Sequence, residues 1–219
     1  MYIIANWKSN KTIKEALTWL EEVGPKIPRE QSLKVVVCPQ FTDLAEVKKA
    51  ILVNNYPILV GAQDLSPFPE GSFTGEEAAS LLKEFVDFAI LGHSERRTNF
   101  SETDEMVSDK VNQALENNIT PLVCVQDEST SIPEKCKLVA YEPTFAIGTG
   151  NPDTPENAES VAQKIISRNS DLEILYGGSV NKENCKAFLL QENIKGLLIG
   201  KASLDPKEFL EIIQNSNKE

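Results

Sequence analysis

The sequence predicts an α/β fold in which eight strand–helix units close into a (β/α)8 barrel. Three observations lead there. Short apolar runs recur along the chain and rarely alternate with polar residues, as parallel strands do when protein covers both faces. Segments with helical spacing lie between nearly all of these runs, which implies right-handed parallel crossovers. After the first run comes Asn6-Trp7-Lys8-Ser9-Asn10, where an open, doubly wound sheet would want a glycine-rich turn. No long Pro-, Ser- or Gly-rich linker divides the 219 residues, so one domain is expected over 1–219.

Tyr2 to Trp7 reads as the first buried strand. Thr12 can cap a helix whose apolar positions Ile13, Ala16, Leu17, Leu20 and Val23 recur at helical spacing, and Gly24-Pro25 ends it. Leu33 to Cys38 is the second strand, Asp43 to Val53 a helix, and Pro57 to Gly61 the third strand. A loop, Gln63 to Gly75, carries two prolines and two glycines. Glu76 to Glu84 is a helix and Phe88 to Leu91 the fourth strand. Glu102 to Asn117 is a long helix with Met106, Val111, Ala114 and Leu115 expected inward. Pro121 to Val125 and Leu138 to Tyr141 are the fifth and sixth strands. Thr154 begins a helix through Ser167, Leu172 to Tyr176 is the seventh strand, and Lys182 to Leu190 a helix. Gly196 to Ile199 is the eighth strand and Pro206 to Asn215 the last helix.

The crossover between the fifth and sixth strands is the exception. Only about a dozen residues separate Val125 from Leu138, near the lower limit for a whole βαβ crossover. Pro133 bars a continuous helix through them. The fifth outer helix is therefore expected to be missing or reduced to about one turn. Ile132 is expected to plug part of the gap, and an apolar patch left bare there would offer a second subunit contact.

The formal charge of −11 argues against nonspecific binding to nucleic acid or anionic membrane, so no partner of either kind is expected. An anionic ligand would need a local positive field. Met1 to Ala5 lacks the basic region and long apolar core of a signal peptide, and no run approaches membrane-spanning length. The four cysteines form no CxxC pair, which suggests reduced thiols in a cytoplasmic protein. One histidine and scattered cysteines do not make an ordinary zinc site, and no nucleotide fingerprint appears.

In such barrels, chemistry sits where strands end and the following loops begin. The sixth strand ends on Glu142, then Pro143-Thr144-Phe145-Ala146-Ile147-Gly148-Thr149-Gly150. An acid followed by a glycine-punctuated loop suits a general base under a lid; a solvated Glu beside an ordinary turn fits the same residues. Asn6 and Lys8 alternate with Trp7 at the first strand end, suiting an anionic carbonyl substrate, or else a surface lysine and a turn asparagine. His93 follows Leu91-Gly92 and opens Ser94-Glu95-Arg96-Arg97. At a helix N-terminus its imidazolium is disfavoured and its pKa lowered, so a neutral ring could donate to an enolate oxygen. The other reading is a packed histidine bonded to backbone. Tyr176-Gly177-Gly178-Ser179 lets backbone N–H groups approach an anion, aided by a following helix, and Gly200-Lys201 ends the eighth strand.

These runs together resemble the triosephosphate isomerase family over nearly the whole chain. The matching motifs are Asn6-Trp7-Lys8-Ser9-Asn10, Gly92-His93-Ser94-Glu95-Arg96-Arg97, the lid from Pro143 to Gly150, and the two glycine-bearing strand ends. The departures are Thr144-Phe145 for the family's Val-Trp, Ser101 for Gly, Asp64 for Asn, Gln126-Asp127 for Gly-Glu, and Lys201 for a second Gly. The resemblance implies a TIM barrel that interconverts dihydroxyacetone phosphate and D-glyceraldehyde 3-phosphate without cofactor. Glu142 would move the proton and His93 polarise the carbonyl. Lys8 and Asn6 would supply field and orientation, with Glu95 holding the lysine. Backbone groups of Gly148, Gly177, Gly178, Ser179, Gly200 and Lys201 would surround the phosphate, and Tyr176 and Ser179 would latch the closed lid. The loop Gln63-Gly75 would insert into the partner of a homodimer. Two alternatives stay open: another phosphosugar aldose–ketose isomerase on the same barrel, or a non-catalytic phosphosugar-binding barrel. The second predicts loss of Glu142, His93 or Lys8, and all three are present.

Overall fold

A computed structural model describes residues 1–216; residues 217–219, the last of the expected barrel domain, lie outside the described part. Eight strands form a closed barrel in chain order: β1 Tyr2–Asn6, β2 Lys34–Cys38, β3 Leu59–Ala62, β4 Phe88–Leu91, β5 Thr120–Val125, β6 Leu138–Tyr141, β7 Glu173–Tyr176 and β8 Ile194–Ile199. Every neighbouring pair is parallel. The helices are α1 Ile13–Val23, α2 Leu44–Val53, α3 Ala79–Leu82, α4 Ser94–Phe100, α5 Asp104–Glu116, α6 Pro155–Arg168, α7 Cys185–Leu189 and α8 Pro206–Asn215. None of them is long and apolar enough to cross a membrane.

Alternation along the strands splits the apolar residues into two cores. Tyr2, Ile4, Val36, Cys38, Phe88, Ile90, Leu122, Cys124, Leu138, Ala140, Leu175 and Leu198 fill the barrel. Their neighbours face outward and pack under the helices; Trp7, for example, lies edge-on to Trp19 of α1 at 5.0 Å. Extending the inward series by two residues at each strand end reaches Asn6, Gly92, Glu142, Gly177 and Gly200, which is why these positions meet at one mouth. Closure between β8 and β1 needs a glycine. Gly196 pairs with Tyr2, and a Cβ on it would lie 2.3 Å from the Tyr2 carbonyl oxygen.

Local chemistry sets the helix starts. Thr12 caps α1 and exchanges bonds with Glu15, while Thr154 and Asp205 cap α6 and α8, each ahead of a proline. Two expectations change. The Glu76–Glu84 helix shrinks to α3, because the Glu77 carbonyl is taken by the Ser66 N–H at 2.9 Å and residue 78 is extended. The inward face of α5 is Val107, Lys110, Val111 and Ala114; Met106 is only half-buried and Leu115 is exposed.

No helix lies between β5 and β6, and these strands still pair at four positions, from Leu122–Leu138 to Val125–Tyr141. Asp127 caps a turn by accepting the Ser129 and Thr130 N–H groups at 2.8 and 2.9 Å. Arg168 of α6 reaches across to the carbonyls of Glu128 and Thr130, and Lys164 pairs with Glu128 at 2.9 Å. Ile132 and buried Cys136 pack on the outer core, with Ile132 partly covered as expected. No large apolar side chain of segment 126–137 is exposed, so the apolar patch that would invite another subunit there is missing.

Candidate active site

A cavity of about 760 Å³ opens at the C-terminal end of the strands. Asn6, Lys8, His93, Glu142, Gly148, Gly177, Ser179, Gly200 and Lys201 line it. Glu95 and Gly178 are not among the lining residues: Glu95 pairs with Lys8, and Gly178 lies against Tyr176 and Ala146. The expected site residues thus meet around one space, from five different strand ends.

Glu142 follows β6 and is 1% exposed. Its Oε1 lies 3.1 Å from His93 Nε2, and Oε2 accepts the Ser94 N–H at 3.1 Å. Burial alone pushes this carboxyl up; His93, the Ser94 N–H and Lys8 outweigh it and hold Glu142 below its ordinary value. The group is therefore a carboxylate at neutral pH.

His93 owes its direction to Gly92, whose φ of 70° turns the chain after β4. Its Nδ1 accepts the Glu95 N–H at 3.1 Å, so the ring proton of the neutral form sits on Nε2, facing Glu142. The expected downward pKa shift is not what the surroundings produce. Burial does push the imidazole down, yet the Glu142 carboxylate beside it moves the net shift upward. That upward pull comes mainly from the direct His93–Glu142 contact.

Lys8 has left the strand. Its backbone is left-handed, at φ 52°, an uncommon state for a lysine. Three bonds hold it: the Lys8 N–H donates to Asn6 Oδ1 at 3.1 Å, Gln63 donates to the Lys8 carbonyl at 2.9 Å, and Lys8 Nζ meets Glu95 at 2.5 Å. Gln63 also donates to the Cys38 carbonyl at 3.0 Å, which ties the ends of β1, β2 and β3 together. In the sequence Gln63 reads only as part of a loop, and its one signal is an amide directly after a buried strand.

The lid is latched. Ser179 donates its hydroxyl to the Ala146 carbonyl at 2.5 Å and accepts the Gly150 N–H at 3.1 Å. Tyr176 accepts the Asp153 N–H at 2.8 Å. Gly178 lies under this latch, where a Cβ would be 2.5 Å from the Tyr176 hydroxyl and 3.0 Å from Ala146 Cβ. The following helix, expected over Lys182 to Leu190, starts only at Cys185, so its dipole does not abut the glycine pair. At the other strand end, a Cβ on Gly200 would sit 3.9 Å from Lys8 Nζ, so the ammonium borders that backbone. Lys201 starts a 3₁₀ turn, is exposed, and is not left-handed, so a lysine there is unstrained.

A second charged group lies behind His93. Lys110 is 2% exposed, grips Asp64 at 2.7 and 2.8 Å, and meets Glu102 at 3.0 Å. Arg96 bonds to both carboxylates, and Glu102 accepts the Gly92 N–H at 3.0 Å. The turn that aims His93 is thereby anchored to the start of the loop after β3.

The comparisons agree with this geometry. The family model described as triosephosphate isomerase matches residues 1–216. A triosephosphate isomerase of Aquifex aeolicus is 37% identical over 96% of this chain and 97% of its own. Those of Caldanaerobacter subterraneus and Clostridium beijerinckii are each 38% identical over the same shares. The Aquifex alignment runs to 242 positions against a chain of 219 residues, so that relative carries segments this chain lacks. A barrel of this order, with a carboxylate and a histidine in contact under a latched glycine loop, and a match across all described residues, lead to one assignment: the chain belongs to the triosephosphate isomerase family.

Proposed function

We propose that this chain interconverts dihydroxyacetone phosphate and D-glyceraldehyde 3-phosphate, with Glu142 as the base and His93 as the electrophile. The observation that carries the reading is the buried Glu142 carboxylate on His93 Nε2, in the cavity that also holds Lys8. Glu142 takes a proton from one carbon of the substrate and returns it to the next. The Nε2–H of His93 donates to the oxygen where negative charge develops, and Lys8 adds its field. Glu95 and Asn6 hold Lys8 in place. Backbone N–H groups at Gly148, Ser179, Gly200 and Lys201, with Gly177 and Gly178 leaving room, receive the phosphate. The latched lid keeps water out, strengthening these interactions and protecting the enediol(ate).

The same proposal includes a homodimer formed through the loop Gln63-Gly75. Phe68 and Phe73 of that loop are exposed and stack on each other at 4.4 Å, an apolar tip suited to a pocket on a second copy. A cytoplasmic location fits four free thiols, all buried. The test is turnover of D-glyceraldehyde 3-phosphate by the purified chain, coupled to reduction of the dihydroxyacetone phosphate formed. Folded protein with no turnover would reject the reading.

A further inference from the structure

Asp153 stands where the lid runs into α6, and its carboxylate is engaged from several sides. Tyr141 donates its hydroxyl to Oδ2 at 3.2 Å, and Asn157 donates its amide to the same oxygen at 2.7 Å. Oδ1 accepts the Thr154 N–H at 2.8 Å. The Asp153 N–H, in turn, donates to the Tyr176 hydroxyl at 2.8 Å. One residue at the rear of the lid is thus bound to two tyrosines, each the last residue of its strand.

Both strand ends lead directly to the base. Tyr141 is followed by Glu142. Tyr176 is followed by Gly177, where a Cβ would lie 3.2 Å from Glu142 Cγ. The two rings lie 6.2 Å apart, and Tyr176 stacks on Phe188 at 3.8 Å, so the tyrosines are packed into the barrel wall rather than carried by the lid. Any residue but proline at 153 could supply the N–H for Tyr176. Only an acceptor side chain there can take the Tyr141 hydroxyl, and Gly150, Asn151 and Pro152 before it offer no carboxylate.

We infer that Asp153 is a positioning residue: through Tyr141 it ties the rear of the closed lid to the strand end that carries Glu142, so that the lid stays shut until the enediol(ate) is reprotonated. This rests on the isomerase reading above. Premature opening has a definite chemical consequence. The electron pair on the enediolate oxygen closes a carbonyl, the C=C bond shifts to the next carbon pair, and the C–O bond to phosphate breaks, with phosphate leaving with the pair. The enol left behind takes a proton on carbon and becomes 2-oxopropanal. The ratio of inorganic phosphate released to triose phosphate isomerised therefore reports how well the lid holds.

The experiment measures that ratio, with kcat, KM and Tm, for the wild type and for Asp153→Ala, Asp153→Asn, Tyr141→Phe and Asp153→Ala/Tyr141→Phe. Loss of a hydrogen bond to a charged group should raise the ratio by about tenfold in Asp153→Ala and in Tyr141→Phe. The double variant should be no worse than Asp153→Ala, because Tyr141→Phe removes an interaction that Asp153→Ala has already lost. Asp153→Asn, which keeps an acceptor oxygen, should recover most of the loss. A ratio equal to the wild type in Asp153→Ala or Tyr141→Phe overturns the inference, whatever happens to Tm, and so does additivity of the two changes. A wild type that isomerises while the variants leak no more phosphate rejects this inference alone; a wild type that does not isomerise rejects the isomerase reading and takes this one with it.

Discussion

Shortening the base by one carbon tests its placement directly. Glu142→Asp withdraws the carboxylate by at most one C–C bond, about 1.5 Å. The strand end cannot follow it. The Glu142 N–H is bonded to the Val125 carbonyl at 2.8 Å, and the Gly177 N–H to the Tyr141 carbonyl at 2.9 Å. Both carboxylate contacts, each 3.1 Å in the parent, stretch toward about 4.5 Å, outside hydrogen-bonding range. A misplacement near 1 Å at a reacting atom costs about 100-fold, so kcat should fall by about 100- to 1000-fold, equivalent to roughly 3–4 kcal/mol of barrier. KM should change less than about threefold, because Lys8 and the backbone around the phosphate are untouched. The assay is steady-state turnover in both directions, with Tm as a check on folding. A folded Glu142→Asp protein with kcat within about threefold of the parent would remove Glu142 from the chemistry.

Other consequences can be measured separately. Lys201→Gly should weaken substrate binding about two- to fivefold at low ionic strength and hardly at all in high salt, since an exposed ammonium at the cavity mouth acts only through a screened field; a salt-independent KM would place the side chain away from the phosphate. Lys110→Met leaves Asp64 and Glu102 with Arg96 as their remaining cation and should cost about 3–5 kcal/mol in urea unfolding; a loss below about 1 kcal/mol would mean that water enters the cluster freely. Burial pushes Glu102 up, but Lys110 and Arg96 hold it below the ordinary value of 4.5. Its contribution is therefore complete above about pH 4.5 and is lost as pH falls through its lower folded value. Asp64 shifts the other way, raised by burial and by Glu102, and opposes part of that slope. Tm should fall on acidification below pH 4.5, and Glu102→Gln should flatten the fall; an unchanged slope in that variant assigns acid sensitivity to other carboxylates.

Much of the fold is written locally. Apolar runs such as Phe88 to Leu91 and Leu138 to Tyr141 give both the strand and its end, because the next residue is polar or glycine. The short crossover was legible from chain length and Pro133 alone. Alternation at the strand ends carries Asn6 and Glu142 inward, but the roles expected of Glu142, His93 and Lys8 rest on the resemblance to the family, since the residues alone fit a solvated acid, a packed histidine and a surface lysine as well. What escaped depends on groups far apart in sequence. Lys110 lies on the buried face of α5 only because Asp64 and Glu102 meet it there, and nothing within the helix announces that. The upward shift of His93 comes from Glu142, 49 residues away, and outweighs the downward push of burial. Met106 and Leu115 lie nine residues apart, on opposite sides of a 3.6-residue helix, so they do not share the buried stripe of Val107, Val111 and Ala114. The Asp153 carboxylate reads as an ordinary helix-start acid until the fold brings Tyr141 to it.

The central claim is that Glu142 carries the proton between two carbons of a triose phosphate. It is tested most directly by isomerisation in D2O, with the product's carbon-bound deuterium measured for the parent and for Glu142→Gln. The parent's product should carry the original hydrogen in part and deuterium in part at the newly protonated carbon, according to how often the carried proton exchanges before its return, and Glu142→Gln should give no product above background. Equal turnover and deuterium incorporation by Glu142→Gln would contradict the claim.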